Sequence, residues 1–330
     1  MQKKVSMARQ RSRPAPTETS SRKGIRYFID TLTEPDPLLL RRRDFSRGFF
    51  SGTLIQDLGH GIAFMNTLKF GRSNIQIVPP GDNNSGLVSR GLGEDSGTSL
   101  DFALNRFLEG CVHWLACDSK AIFEIIWFSD PSTRVVTGFE LFPLPPWSIK
   151  KSGRKVVQIL PDEVAKRAGV SKTNELDSEN IVEIRLPKRE EVILTKTLRA
   201  LERLGHHMHP TWGFKPENHG KFDYGLFKSG QGRALLAATQ QIGWTVRGQV
   251  GDFLLEPYLL LRYLRFQEFK ISCRNAILSQ LNKVLEMVGE RMGRKLRLEL
   301  TGIPTLDTVR QGVEGIQQGS MSFREVMALF

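Results

Sequence analysis

Cysteine is scarce: three residues in 330, Cys111, Cys117 and Cys273, with no closely spaced C-x-x-C pair. That excludes a disulfide-stapled scaffold and a cysteine-rich zinc module, and it predicts buried free thiols in a reducing compartment. Long apolar runs are missing too. The nearest, residues 253–264, is broken by Glu256, Pro257 and Arg262, short of the roughly 18 apolar residues that cross a bilayer. The first residues are basic but lack the apolar stretch of a secretory signal. The expectation is a soluble intracellular protein with no membrane partner. Catalytic signatures are lacking as well. There is no GxSxG, HExxH or Walker pattern, and Gly86, Gly91 and Gly93 precede no Lys-Ser/Thr pair. The acids are scattered, so the chain is expected not to be an enzyme and to need no cofactor.

What the chain has is positive charge. Lysine and arginine number 47 against 35 acids, a net charge of +12. A polyanion is the partner such an excess favours, nucleic acid first and an anionic surface second. Residues 1–24 combine Lys3, Lys4, Arg9, Arg11, Arg13, Arg22 and Lys23 with almost no large apolar side chains, and read as a disordered basic arm. Residues 27–70 turn helical, with Leu54, Leu58 and Ile62 on one side of a short segment. Residues 74–78 alternate as a strand, and 83–98 read as a Gly-, Ser- and Asn-rich loop.

The stretch from 100 to 149 is the most strongly patterned. Leu100, Leu104, Phe107, Cys111 and Leu115 recur at helical steps, widened by Leu108, Val112 and Ala116. Residues 121–128, AIFEIIWF, then carry the branched and aromatic side chains of a strand. Asp130-Pro131-Ser132 marks a turn, residues 135–142 a second strand, and Pro143, Pro145 and Pro146 a stiff exit. Downstream, 150–155 form a tight basic turn, and strands follow through 160 and over 181–186. Residues 192–204 form an amphipathic helix with Leu194, Leu198 and Leu201 on one face. His206, His207 and His209 lie beside Gly and Pro, as a surface loop or a weak metal site. Gly230-Gln231-Gly232 precede a helix over 233–247, a helix start whose amides suit a phosphate or a plain turn. Residues 258–292 form one long helix or two with a bend, striped by Ile277, Leu281, Leu285, Val288 and Met292. Its cations Arg262, Arg265, Lys270 and Arg274 are candidates to face nucleic acid. A strand over 295–300, a helix over 306–316 ending at Gly319, and a last helix capped by Ser322 and Glu325 complete the chain.

Helix, strand, turn, strand and a proline-stiffened exit, in that order, resemble the middle of bacteriophage portal proteins. The matching residues are Phe123-Glu124-Ile125-Ile126, Gly138, Phe139-Glu140-Leu141 and Pro143-Leu144-Pro145-Pro146. Asn180-Ile181-Val182-Glu183-Ile184 is similar to the strand that returns after that family's clip, and Gly319–Val326 to a helix start near its C-termini. The resemblance implies an α+β fold, with long stem-type helices, a mixed α/β wing and a clip-like β insertion. It divides the chain into a disordered arm (1–24), a wing-like region (25–98), a stem-type helix and strand (99–128), a clip-like region (129–228), long helices with a channel loop (229–295) and a short crown (296–330). Being short for the family, the chain is expected to lack an extended crown.

The implied function is structural. A homo-oligomeric ring, usually of twelve copies, would form the channel at the portal vertex of a virion's capsid. Double-stranded DNA is packaged and ejected through it, with the major capsid protein, terminase and neck or adaptor proteins as further partners. Assembly would take place in the bacterial host cytoplasm. The implied DNA contacts are Arg247 and Gln249, flanking the Gly248–Pro257 break, followed by Arg262, Arg265, Lys270 and Arg274. The alternative function class is a metal-dependent nucleic-acid-processing enzyme, or a monomeric nucleic-acid-binding protein, using the basic surface and the histidines.

Overall fold

The computed structural model describes residues 19–20, 48–60, 62, 74–94, 98–153, 155–162, 165–166, 171–207, 224–245 and 256–330. The fold is mixed α and β. In chain order the first elements are strand β1 (Thr19–Ser20), helix α1 (Phe49–Gly59), strand β2 (Asn74–Val78), helix α2 (Asp82–Gly91) and helix α3 (Leu100–Asp118). Strands β3 (Ala121–Ser129), β4 (Val136–Leu144), β5 (Ile149–Ser152), β6 (Lys155–Ile159), β7 (Thr173–Leu176) and β8 (Ile181–Ile184) follow. Helices α4 (Lys188–His207), α5 (Tyr224–Ala238) and α6 (Glu256–Arg291) then lead to strand β9 (Arg297–Thr301), helix α7 (Leu306–Gln317) and helix α8 (Phe323–Ala328).

Strand β3 is the centre of the arrangement. Its apolar run, interrupted by a buried Glu124, means burial on both faces, the pattern of an inner strand. Phe123, Ile125 and Trp127 point into the main core with the helices, while Ile122 and Ile126 point into a second core with Phe142, Leu144, Ile149, Val156 and Leu176. Along its edges β3 pairs antiparallel with β4 on one side and with β8 on the other, where Thr19 and Ser20 of β1 also add on. Those two residues of the expected arm therefore belong to a sheet, and the rest of 1–24 lies outside the described residues. Pro143 sits in β4 opposite Phe123, which is tolerated because β4 bonds to no other strand on its far side among the described residues.

Helix α3 begins where the Ser99 hydroxyl accepts the Phe102 amide, and it ends at Ser119, whose φ of 60° turns the chain into β3. Residues 83–98 were expected to be a loop, and here the structure corrects the sequence: α2 occupies most of them. Its Asn83, Ser85 and Gly86 are weak helix formers, so local propensity points away from a helix. Burial overrides that preference, because Leu87, Val88 and Leu92 all face the core and Ser89 bonds Thr98 O at 3.0 Å.

Beyond the prolines the chain leaves the β3 sheet and builds a separate three-stranded sheet, β5-β6-β7, with a hairpin turn at Gly153. β7 had no sequence signal. Of its residues Thr-Asn-Glu-Leu only Leu176 is buried, and its pairing with β6 alone makes it a strand. β8 then returns to β3. Two amides on α6 fasten strands to it from the side. Gln280 brackets the Arg185 backbone with bonds of 3.0 and 2.8 Å, and Asn282 does the same to Leu298 in β9 with 3.0 and 2.8 Å.

The region 258–292 is one helix. At 36 residues α6 is about 54 Å long at ~1.5 Å per residue. Ile277, Leu281, Leu285 and Val288 are fully buried along it, each contributing about 1.5–3 kcal/mol relative to exposure. Its first half carries the C-terminal helices through Leu260, Leu264, Val309, Val326 and Phe330. The helix expected over 233–247 instead spans α5 and stops at Ala238, with turns through 243. Gly230 and Gly232 therefore lie inside a helix, so the helix start once assigned to them, with its phosphate-suited amides, is not there.

One glycine in the core admits a direct test. A Cβ on Gly91 would lie 2.2 Å from Cζ of Phe139, whose ring is fully packed. Gly91→Ala is expected to lower the unfolding free energy in urea by about 1–3 kcal/mol. In a double-mutant cycle with Phe139→Leu the two losses should miss additivity by about 1 kcal/mol, and additive losses would show the strain lies elsewhere.

Candidate nucleic-acid interface

The cations of α6 are the expected DNA contacts, and three of the four are buried within the chain. Arg262, Lys270 and Arg274 are 2%, 8% and 2% exposed. Arg262 donates Nη1 to Leu236 O at 3.2 Å and to Tyr258 Oη at 3.4 Å, and Nη2 to Thr239 Oγ1 at 2.5 Å and Trp244 O at 2.8 Å. The guanidinium fork thus clasps the turn that follows α5. Gly243 lets that turn come close: its φ is +76°, and a Cβ there would lie 2.4 Å from Arg262 O. Lys270 donates Nζ to His60 O at 3.0 Å, just past α1, and Arg274 donates Nη2 to Pro304 O at 2.7 Å ahead of α7. Each cation donates to at least one main-chain carbonyl of its own chain, while Arg262 Nε and Arg274 Nη1 are buried with no hydrogen-bond partner among the described residues. Arg265 is exposed, with Nη1 2.9 Å from Gln240 O. Arg247 and Gln249 lie outside the described residues.

Burial shows in the ionisation of these groups. Desolvation pushes the Lys270 ammonium down to about 8, against the opposing pull of the Asp57 charge, and brings Arg274 down to about 10. The thiols of Cys111 and Cys273 are pushed up by burial, and Cys117 is half-buried. His206 and His207 fall in the last turn of α4 rather than in a loop, and His209 and His219 lie outside the described residues. Among the described residues no group of three or more His, Cys, Asp or Glu is placed to hold a metal ion. No helix among them is long and apolar enough to cross a membrane.

The exposed face of α6 is close to neutral. Arg265, Lys283 and Arg291 stand against Glu268, Glu286 and Glu290, and Arg291 lies over the Trp127 ring at 4.4 Å. On α4 four exposed cations share one side. Arg189, Lys196, Arg199 and Arg203 are all exposed, separated by seven, three and four residues. At ~100° per residue they fall within an arc of about 80°, on the side opposite Leu194, Leu198 and Leu201. Those three leucines pack inward and are at most 2% exposed. The sequence signal for this stripe was the same periodicity that marked the leucine face, followed on its polar side.

Two predictions follow from the buried cations. Arg262→Met leaves Thr239 Oγ1 and Trp244 O without their donor and should cost about 3 kcal/mol or more in urea unfolding, whereas Arg265→Met should cost less than about 1 kcal/mol. Equal costs would mean Arg262 is not the clasp. For Lys270, the folded value of about 8 lies below the ordinary 10.5. Below about pH 8 both folded and unfolded states hold the proton. Between there and 10.5 only the unfolded state does, so stability rises with pH by at most about 1.4 kcal/mol per unit. Lys270→Met should remove that rise and leave stability at neutral pH unchanged or higher. Urea unfolding of both proteins at pH 7.5, 8.5 and 9.5 decides it: parallel profiles would refute the assignment.

No family model matches the sequence, and no curated protein matches it. Among solved structures, a chain from the virion of a native gene transfer agent particle is similar with a TM-score of 0.42 and 11% sequence identity, over 87% of this chain and 90% of that one.

Proposed function

We propose that this chain is a portal-like ring subunit: copies of it close around a channel at the portal vertex of a virion capsid, and double-stranded DNA is packaged and ejected through that channel. The observation that carries this is the excursion from strand β3. The chain leaves the β3–β4 hairpin from the end of β4 at Pro145, folds a separate three-stranded sheet, and returns at Ile181 to pair with β3 on the edge opposite β4. Both ends of the excursion are thus held on one strand that is itself buried on both faces. A sheet so anchored, packed on the second face of β3, can meet neck or adaptor proteins with its outer side without loosening the core. The long helix α6, clasped along its length by strands and by buried cations, supplies a stiff member for the body of such a ring.

Ring closure needs apolar surface that a lone subunit leaves uncovered. Phe49 and Phe102 on α1 and α3, Tyr258 and Leu261 on α6, and Phe323 on α8 are exposed large side chains of that kind. A heterologous contact between different patches on neighbouring copies closes into a ring when its rotation divides a full turn. The major capsid protein and terminase complete the partners of this role.

Light scattering after size-exclusion chromatography, with negative-stain images, tests it. Twelve copies of 37.4 kDa would give a closed ring of about 450 kDa, from the isolated protein or from capsid precursors containing it. A particle of 37.4 kDa under both conditions overturns the proposal and favours the monomeric alternative.

A further inference from the structure

We infer that the outer face of α4, carrying Arg189, Lys196, Arg199 and Arg203, is the surface that meets the phosphate backbone of duplex DNA. The inference rests on the DNA-channel role proposed above and names the helix that performs it. The four cations span 14 residues from first to last, about 21 Å at ~1.5 Å per residue. None of them takes part in an ion pair or hydrogen bond among the described residues, whereas Lys151 and Arg185 both pair with Glu183. The acids of α4 lie off the stripe and have partners or positions of their own: Glu190 accepts from Ser272 at 3.0 Å, Glu191 pairs with Lys188 at 3.5 Å, and Glu202 falls outside the arc. No acid of α4 therefore stands on the stripe.

Three features select duplex DNA over other anionic partners. Three of the four cations are arginines, whose planar fork fits phosphate oxygens in bidentate fashion. The helix contains no Asn or Gln, the side chains that most often read adenine edges, so its contacts are to backbone and tolerate any sequence. And the apolar face of α4 is buried against its own chain, whereas a helix that lies on a lipid surface must offer that face to the bilayer. Four phosphate contacts per copy attract a polyanion yet give way one at a time, which suits a strand that has to slide.

The test uses the full-length protein and fluorescence anisotropy of two unrelated 30-base-pair duplexes in about 50–300 mM NaCl, the range over which phosphate contacts respond to salt. The variant Arg189→Gln/Lys196→Gln/Arg199→Gln/Arg203→Gln is compared with a control that removes the same charge elsewhere, Lys150→Gln/Lys283→Gln/Lys295→Gln/Arg324→Gln, all exposed positions. The expected result is a plot of log K against log salt whose slope falls in magnitude by about 3–4 for the stripe variant on both duplexes, with a loss of at least ~10-fold near 100 mM, and by less than about 1 for the control. Equal losses in the two variants, or wild-type binding by the stripe variant, overturn the inference. So does loss of binding to vesicles containing phosphatidylserine with DNA binding intact. Should the fourfold variant fail to fold by circular dichroism, Lys196→Gln/Arg199→Gln must show about half the change in slope. Particle mass is measured on the same samples. Rings with unchanged DNA binding reject the α4 surface alone, and DNA binding through α4 without rings rejects the portal role alone.

Discussion

Burial of β3 on both faces is the constraint on which the rest of the structure depends. A strand of this kind has no solvent side, so each neighbour must cover it. The helices α1, α3, α4 and α6 close one face through Phe123, Ile125 and Trp127, and the small sheet closes the other through Ile122 and Ile126. Its edges are taken by β4 on one side and by β8 and β1 on the other. The small sheet has its own core only because β3 contributes to it. The proline exit, the excursion and the return at Ile181 are therefore parts of one packing solution.

A second constraint sits on α6, where three cations are taken out of water. Removing a charge from solvent is costly, and carbonyl oxygens of neighbouring segments offset that cost. Arg262 ties the helix to the turn after α5, Lys270 to the end of α1, and Arg274 to the approach to α7. The same long helix is also pinned by Gln280 and Asn282 to two strands. Charge on this helix thus serves tertiary connection, and the face it leaves in solvent is nearly neutral. A stripe of four exposed cations stands instead on α4, whose leucine face faces inward and whose opposite face carries no acid.

How much of this was legible in the sequence depended on whether a signal was local. Helix α3, strand β3, the hairpin, the two C-terminal helices and the Ser322–Glu325 capping box all follow from periodicity and cap residues, and the structure has them. Helix α2 was hidden because Asn83, Ser85 and Gly86 argue against a helix while the burial of Leu87 and Val88 argues for one. Strand β7 was hidden because its partner, β6, makes it a strand. Counting cations along α6 gave their number but not what covers them, since Leu236, His60 and Pro304 are distant in sequence.

The sequence by itself determined the order of elements, the apolar faces that each must bury and the excess of positive charge, because these depend on residue type and on spacing within one element. Only the tertiary structure decided which cations meet water, because exposure is settled by segments far apart in the chain. Arg262, Lys270 and Arg274 are covered by residues 18 to 210 positions away, and Arg189, Lys196, Arg199 and Arg203 by none among the described residues.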